Sequence, residues 1–324
     1  VATFSAVYDR VIDDFVEPVD GIFVSGNSKL KPEETNTYTA GLVYTPKFLP
    51  GFTTTVDFYQ VYTTNVILDP LNFAQIAVTA NGNAGGGPNA PFAQFIQRAD
   101  GPNGPQTGEI ISMTAENQNA SKRLVNGMDV TATYEIPTQD LGTFTISVGY
   151  NYFFTWKAEP YAGAGTTNFL GDYLSSSLPL APGAIPYHKA YLRGEWRWKG
   201  FDFASTVNYI SSFNDDASKL ARANIVNGSD NAPPPTFPQY DTYRRVSDYV
   251  TLDMQLSYEF SKTSSAETGT FLQRLLWGTK LTVGVNNAFD RNPPTVLGAL
   301  NDNYDTSLYS IRNRYYYIAL SKKF

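Results

Sequence analysis

Few side chains in this 324-residue sequence stand where bond chemistry could be done, and those few are isolated. His188 is the only histidine and there is no cysteine. A lone His without Cys and without a paired-carboxylate motif is not a zinc site, and it reads as polar surface. Without Cys there is no disulfide framework and no thiolate. Serines are many, but none has a His in register to act as its base, so no triad can be assembled. The segment Asp302-Asn303-Tyr304-Asp305 lacks the spaced acids and terminal Glu of a calcium loop and reads as solvated loop. Gly85-Gly86-Gly87 is not followed by Gly-Lys-Ser/Thr, so it is no phosphate cradle. Asn227-Gly228-Ser229 matches a glycosylation sequon by letter only. No catalytic residue, metal or cofactor is expected.

The remaining polar residues are informative through the elements that carry them. Residues 189–199 alternate Ala190, Leu192, Gly194, Trp196 and Trp198 against Tyr191, Arg193, Glu195, Arg197 and Lys199. Residues 249–260 alternate Val250, Leu252, Met254, Leu256, Tyr258 and Phe260 against partners that include Asp253 and Glu259. Period two makes these strands with two unlike faces. Several ionisable groups on one strand face are costly in a dry core and inexpensive beside a water-filled lumen. Arg193, Glu195, Arg197, Asp253 and Glu259 are therefore lumen-facing candidates. Two roles stay open for them: charges that pair with neighbours or with whatever fills the lumen, which is favoured, or a path for substrate.

The same period recurs through the chain. Even positions 144–156 carry Phe144, Ile146, Val148, Tyr150, Tyr152, Phe154 and Trp156, with small or polar residues between them except Phe153. Further strands are expected at 3–8, 37–45, 52–67, 125–136, 201–213, 280–289 and 315–324, about ten in all. The connections differ by side. Those over 9–36, 68–110, 157–186, 214–246 and 290–308 are long, and 68–109 shows no periodic structure. Those at 46–51, 137–142 and 199–200 are short, with 261–278 the exception. Long loops at one end and short turns at the other are the pattern of an outer-membrane β-barrel. Loops rather than walls carry recognition. Tyr161, Phe169, Tyr173, Tyr240, Tyr243, Arg244, Arg245, Tyr304 and Arg312 are thus the candidate ligand contacts, against the alternative of simple loop packing.

Composition agrees. Tyr and Phe number 22 and 21, which suits aromatic girdles at two membrane interfaces. The net charge of −6 argues against a nucleic-acid partner. No apolar run is long enough for a transmembrane helix. A soluble sandwich or propeller would need polar outward faces, whereas strand after strand here has one continuous apolar face.

The chain ends in Lys280-Leu281-Thr282-Val283-Gly284-Val285-Asn286-Asn287-Ala288-Phe289-Asp290, then prolines, then Arg314-Tyr315-Tyr316 and a terminal Phe324. Near its start it reads Asn27-Ser28-Lys29-Leu30-Lys31-Pro32-Glu33, and mid-chain Asn126-Gly127-Met128-Asp129. In order and spacing these resemble the C-terminal barrel part of TonB-dependent outer-membrane receptors. The resemblance implies an all-β antiparallel transmembrane barrel, of which residues 1–324 would be one domain and about the last ten strands of a 22-stranded wall. It implies capture of a scarce nutrient, such as a siderophore, cobalamin or a glycan, and TonB-energised import rather than enzymatic work. The TonB complex would act through a plug domain that is not found in this sequence. No signal peptide is visible, so a fragment is expected. The bacterial outer membrane would be the location, with the C-terminus periplasmic. Tyr316, Ile318, Leu320 and Phe324 would form the signal read by the barrel-assembly machinery. Outer-membrane lipids would surround the wall, and Arg314 at the outer rim could meet lipopolysaccharide phosphates or serve structure alone. A passive porin is the alternative.

Overall fold

Period-two alternation is realised as one antiparallel meander. The structure, a computed structural model, describes residues 7–9, 11–12, 14–16, 18, 20–173, 183–215, 245–260, 270–271, 276–296, 299 and 303–323. The main sheet has nine long strands: β1 (Glu34–Tyr44), β2 (Phe52–Leu68), β3 (Gln118–Pro137), β4 (Thr143–Glu159), β5 (His188–Trp198), β6 (Phe201–Ile210), β7 (Tyr249–Glu259), β8 (Thr279–Asn286) and β9 (Tyr315–Lys322). Each pairs with its sequence neighbour, from β1 at one edge to β9 at the other. A short tenth strand, Thr167–Asn168, pairs with the end of β4.

The register sorts side chains into two surfaces. Tyr44, Thr54, Ala132, Val148, Leu192, Val207 and Leu252 form a continuous row across seven strands. Beside it, Leu42, Val56, Val130, Tyr150, Ala190, Tyr209 and Val250 form another. This apolar surface is exposed at Leu42, Ile146, Leu192, Val250 and Ile318, a band of the kind that lipid covers in a membrane barrel. The opposite surface carries Asp57 opposite Asp129, with Asn151 donating to Asp129 at 2.7 Å. Glycines there are roofed by tyrosines: a Cβ at Gly149 would overlap the Tyr191 ring, and one at Gly284 the Tyr317 ring. Each pair is directly cross-strand.

The short connections are tightly made. Lys199 and Gly200 both have positive φ, 46° and 88°, as a two-residue I′ hairpin turn requires. The turn at 138–142 is held by Thr138 Oγ1 donating to the Gly142 carbonyl at 2.6 Å. Trp196 and Trp198 donate from their indoles to the Leu141 and Asp140 carbonyls at 2.7 and 2.9 Å, so the girdle residues also pin the turn.

The buried cores lie off the sheet, in the long connections. The segment 68–110, expected to lack regular structure, contains α1 (Pro70–Asn83) and strand Ile96–Arg98. Ile96–Arg98 joins Ile22–Ser25 and Ile110–Glu116 in a three-stranded sheet. Phe73, Ala74, Ala77 and Val78 of α1 pack with Ile22, Ile96, Ile110 and Met113. Its polar positions Asn72, Gln75, Thr79 and Asn83 form only a narrow uncharged stripe, so its amphipathic signal is weak and the pattern missed it. The expected first wall strand over 3–8 also differs. Val7–Asp9 pairs with Asp14–Val16 in a separate hairpin, while residues 3–6 lie outside the described residues. Asp9 is held there by Arg98, which donates to both its oxygens, with Nη2 at 2.8 Å. Arg98 also donates to Asn81 Oδ1 at 2.8 Å and the Gly108 carbonyl at 3.0 Å. Arg98 and Asp9 are fully buried.

One outward assignment is corrected. A register shift between Asn126 and Gly127 places Thr155 against Asn126 and Phe153 against Gly127, leaving Phe154 as an extra residue. Such a bulge reverses the faces beyond it. Trp156 therefore leaves the outward row and packs against Phe153, with ring centroids 5.7 Å apart.

Candidate functional site

At the long-connection end of the polar surface, β6, β7, β8 and the segment leading into β9 enclose a recess of about 350 Å³. Register brings its wall together: Thr251 lies opposite Asn208, and Tyr249 opposite Ile210. Asp253 is fixed by two donors. The Asn287 N–H reaches Oδ1 at 2.7 Å and Asn208 Nδ2 reaches Oδ2 at 2.9 Å. Asn287 has φ 51° and clamps the chain beyond β8, accepting from the Arg291 N–H at 2.8 Å and donating to its carbonyl at 2.8 Å. Arg312 enters from the last loop, its guanidinium 5.8 Å from the Tyr315 ring centroid. Arg312 is exposed and forms no ion pair among the described residues.

Of the sequence-based candidates, the recess unites Asp253 and Arg312. Arg193, Glu195, Arg197 and Glu259 gather instead at the short-turn end. Glu195 accepts from Arg193 at 3.2 Å and forms an ion pair with Arg197 at 3.3 Å. Lys323 pairs with Glu259 at 3.3 Å, and Lys280 with Asp202 at 3.1 Å. These pairs are part-exposed and contribute little to stability. Glu195, Arg197 and Glu259 line a second hollow of about 490 Å³ with Lys199, Asp202 and Lys280.

Four of the six described loop candidates are placed in loop cores. Tyr161 packs edge-on against Phe92 at 5.4 Å, joining its loop to the α1 unit. Phe169 is buried with Ala158, Leu170 and Ile185. Tyr173 is buried with Phe213, Val246, Tyr249, Val296 and Tyr309, and Tyr304 packs at the margin of that cluster. Arg245 lies in a two-residue strand paired with Phe213–Asn214, its Nε donating to Ser212 Oγ at 3.0 Å. Tyr240, Tyr243 and Arg244 lie outside the described residues. Arg314 stands just before β9, its Nη2 3.2 Å from Asp290. Tyr316, Ile318 and Leu320 share an exposed face of β9, while Phe324 lies outside the described residues.

Two further placements depart from expectation. Asp305, read as part of a solvated loop, is buried. It accepts from the Ala184 N–H at 2.6 Å and from the Ser307 N–H and hydroxyl at 2.8 and 2.6 Å, so it organises two loops. Burial, with Asp305 and Tyr249 nearby, pushes the Tyr309 phenol well above its usual range. His188 lies on the apolar surface, accepting from or donating to the Tyr150 hydroxyl at 2.7 Å and stacked on Tyr152 at 4.9 Å. Sequence reasoning missed Asn208, Tyr249, Thr251, Asn287 and Tyr315. Asn208 and Thr251 carry the signal of lumen-side parity near a strand end, but nothing in sequence tells that the last loop folds back over them.

Comparison with known proteins is consistent with this layout. The family model described as TonB dependent receptor-like, beta-barrel matches residues 3–288. The FrpB iron transporter from Neisseria meningitidis has a similar structure: 10% identity, TM-score 0.52, covering 92% of this chain and 32% of that one. A double mutant of the ferric enterobactin receptor from Pseudomonas aeruginosa matches with 15% identity and TM-score 0.51, covering 98% and 34%. The siderophore receptor PirA from Acinetobacter baumannii matches with 13% identity and TM-score 0.50, covering 93% and 33%. The chain thus spans about one third of the length of these structures, and identities this low speak to fold alone. No curated protein sequence matches. None of the matches lends support to a passive porin.

Proposed function

The chain belongs to the TonB-dependent receptor family of outer-membrane β-barrels, and from that premise we propose that it is one barrel domain, residues 1–324, of a nutrient importer. The long connections face the outside and the C-terminus faces the periplasm. The ligand is a scarce small molecule of the siderophore, cobalamin or glycan type. The TonB complex supplies energy through a plug domain seated on the polar surface of the wall, and the barrel performs no bond chemistry. Tyr316, Ile318, Leu320 and Phe324 engage the assembly machinery, and Arg314 faces lipid headgroups at the outer rim.

One observation carries the reading. The polar surface leads from folded outer loops, past a recess with prearranged hydrogen-bonding groups, to a belt of charges at the short-turn end. A recess with a few convergent polar groups suits the capture of a small molecule. The names of the similar structures, an iron transporter and siderophore receptors, support the ligand size class. The test is accumulation of labelled nutrient by cells making the complete protein, with and without TonB. Uptake that stops without TonB supports the proposal; equal uptake in both strains would mean a passive channel.

A further inference from the structure

We propose that the recess between β6, β7, β8 and the last loop binds a monoanionic, hydroxyl-rich ligand of the sugar-acid class, with its carboxylate on Arg312. The proposal rests on the receptor reading and specifies its ligand. The charge count comes first. The recess lining holds one cation, Arg312, and one anion, Asp253. A trianionic metal chelate would find a single guanidinium and would have to approach a carboxylate, leaving most of its charge uncompensated as water is removed. A ligand with one carboxylate needs only what Arg312 offers. The guanidinium is free of carboxylate partners among the described residues and presents a planar fork suited to two parallel hydrogen bonds. Its position over the Tyr315 ring holds the fork in place.

The rest of the lining suits hydroxyls. Asp253 is immobilised by the Asn287 N–H and the Asn208 amide. Each of its oxygens keeps a lone pair that can accept a ligand hydroxyl. Thr251, Asn286 and Ser310 add neutral donors and acceptors, while Tyr315 offers an aromatic face for a ring's C–H edge. Apolar lining is limited to Ile210 and Leu308 besides the tyrosines, too little for a hydrophobic ligand. The volume of about 350 Å³ lies at the small end for small-molecule sites, which favours one or two sugar rings.

The test is calorimetric binding to the purified complete receptor, which does not depend on TonB. The probes are galacturonate, its methyl ester, and a ferric tricatecholate complex. Galacturonate is expected to bind at least tenfold more tightly than the ester. Arg312→Gln should abolish that difference, while Arg314→Gln, altering a cation already paired with Asp290, should preserve it. Arg312 is exposed, so its variant should still run as a folded, heat-modifiable band. The proposal is overturned if acid and ester bind alike, if none of the probes binds, if the ferric complex alone binds, or if Arg312→Gln leaves the preference for the acid intact. Each of those results leaves TonB-dependent uptake standing. Loss of TonB dependence with acid-selective binding intact would overturn the importer reading instead.

Discussion

At the scale of one residue, Arg98 joins three separate parts of the long connections. It ties the N-terminal hairpin, the end of α1 and the 106–108 turn through hydrogen bonds to Asp9, Asn81 and Gly108. Removing one partner of a buried pair leaves the other charge stranded, at a cost of about 3–5 kcal/mol. Arg98→Ala should therefore abolish slow hydrogen exchange in 70–83 and 110–116 while β4 to β7 keep theirs. Replacing Asp9 as well, with Arg98→Met and Asp9→Leu, should restore much of the protection. Tyr309 predicts a pH effect. Its folded pKa is raised by burial, so the loop cluster has its full stability below the unfolded value of about 10 and loses it as pH rises beyond that. Local exchange around 296–309 should accelerate in alkali. Tyr309→Phe should remove that alkaline loss at little cost near neutrality, because the phenol oxygen is buried without a hydrogen-bond partner among the described residues.

Elements show where sequence is legible and where it is not. The strands could be read because each alternates between two solvents, and six outward positions in β4, from Phe144 to Phe154, repeat that signal within one segment. The reading failed at Phe154, where one inserted residue turned Trp156 inward without changing the letters' alternation. Helix α1 failed for another reason: its polar positions Asn72, Gln75, Thr79 and Asn83 make a narrow stripe without a single charge, too weak to stand out in a Gly- and Asn-rich stretch. The Lys199-Gly200 turn could be read, and its geometry gives a test. Gly200 has φ 88° and little room for a side chain beside the Glu259 carbonyl. Gly200→Val should cost about 1–2 kcal/mol and reduce the folded, heat-modifiable fraction during detergent refolding. Lys199→Asn, better suited to a left-handed backbone, should raise it slightly.

At the scale of the whole molecule, the main sheet has two edges left unpaired among the described residues, β1 and β9. All eleven residues of β1 are exposed, as in a strand paired on one side only. Open edges of this length recruit other strands. Residues 1–324 expressed alone should self-associate in detergent, and a monodisperse, cooperatively unfolding monomer would contradict this. The site was half legible at this scale. Asp253 and Arg312 were singled out by parity and by loop position, but the loops around them are gathered by a cluster of residues far apart in the chain, Tyr173, Tyr249, Val296 and Tyr309 among them. Residue type and spacing do not encode such long-range closures.

The buried helix also governs how the protein would look to an immune system. Among the described side chains of α1, only Thr79 and Asn83 are exposed. In the proposed orientation this helix lies on the outer side of the cell, yet a serum raised against a peptide of residues 70–83 should bind the denatured chain and pass over intact bacteria. Antibodies selected on whole cells should do the reverse, because the surface they meet is assembled from hairpin, helix and strand together. A linear epitope map of this region would therefore be blind to what the native surface displays.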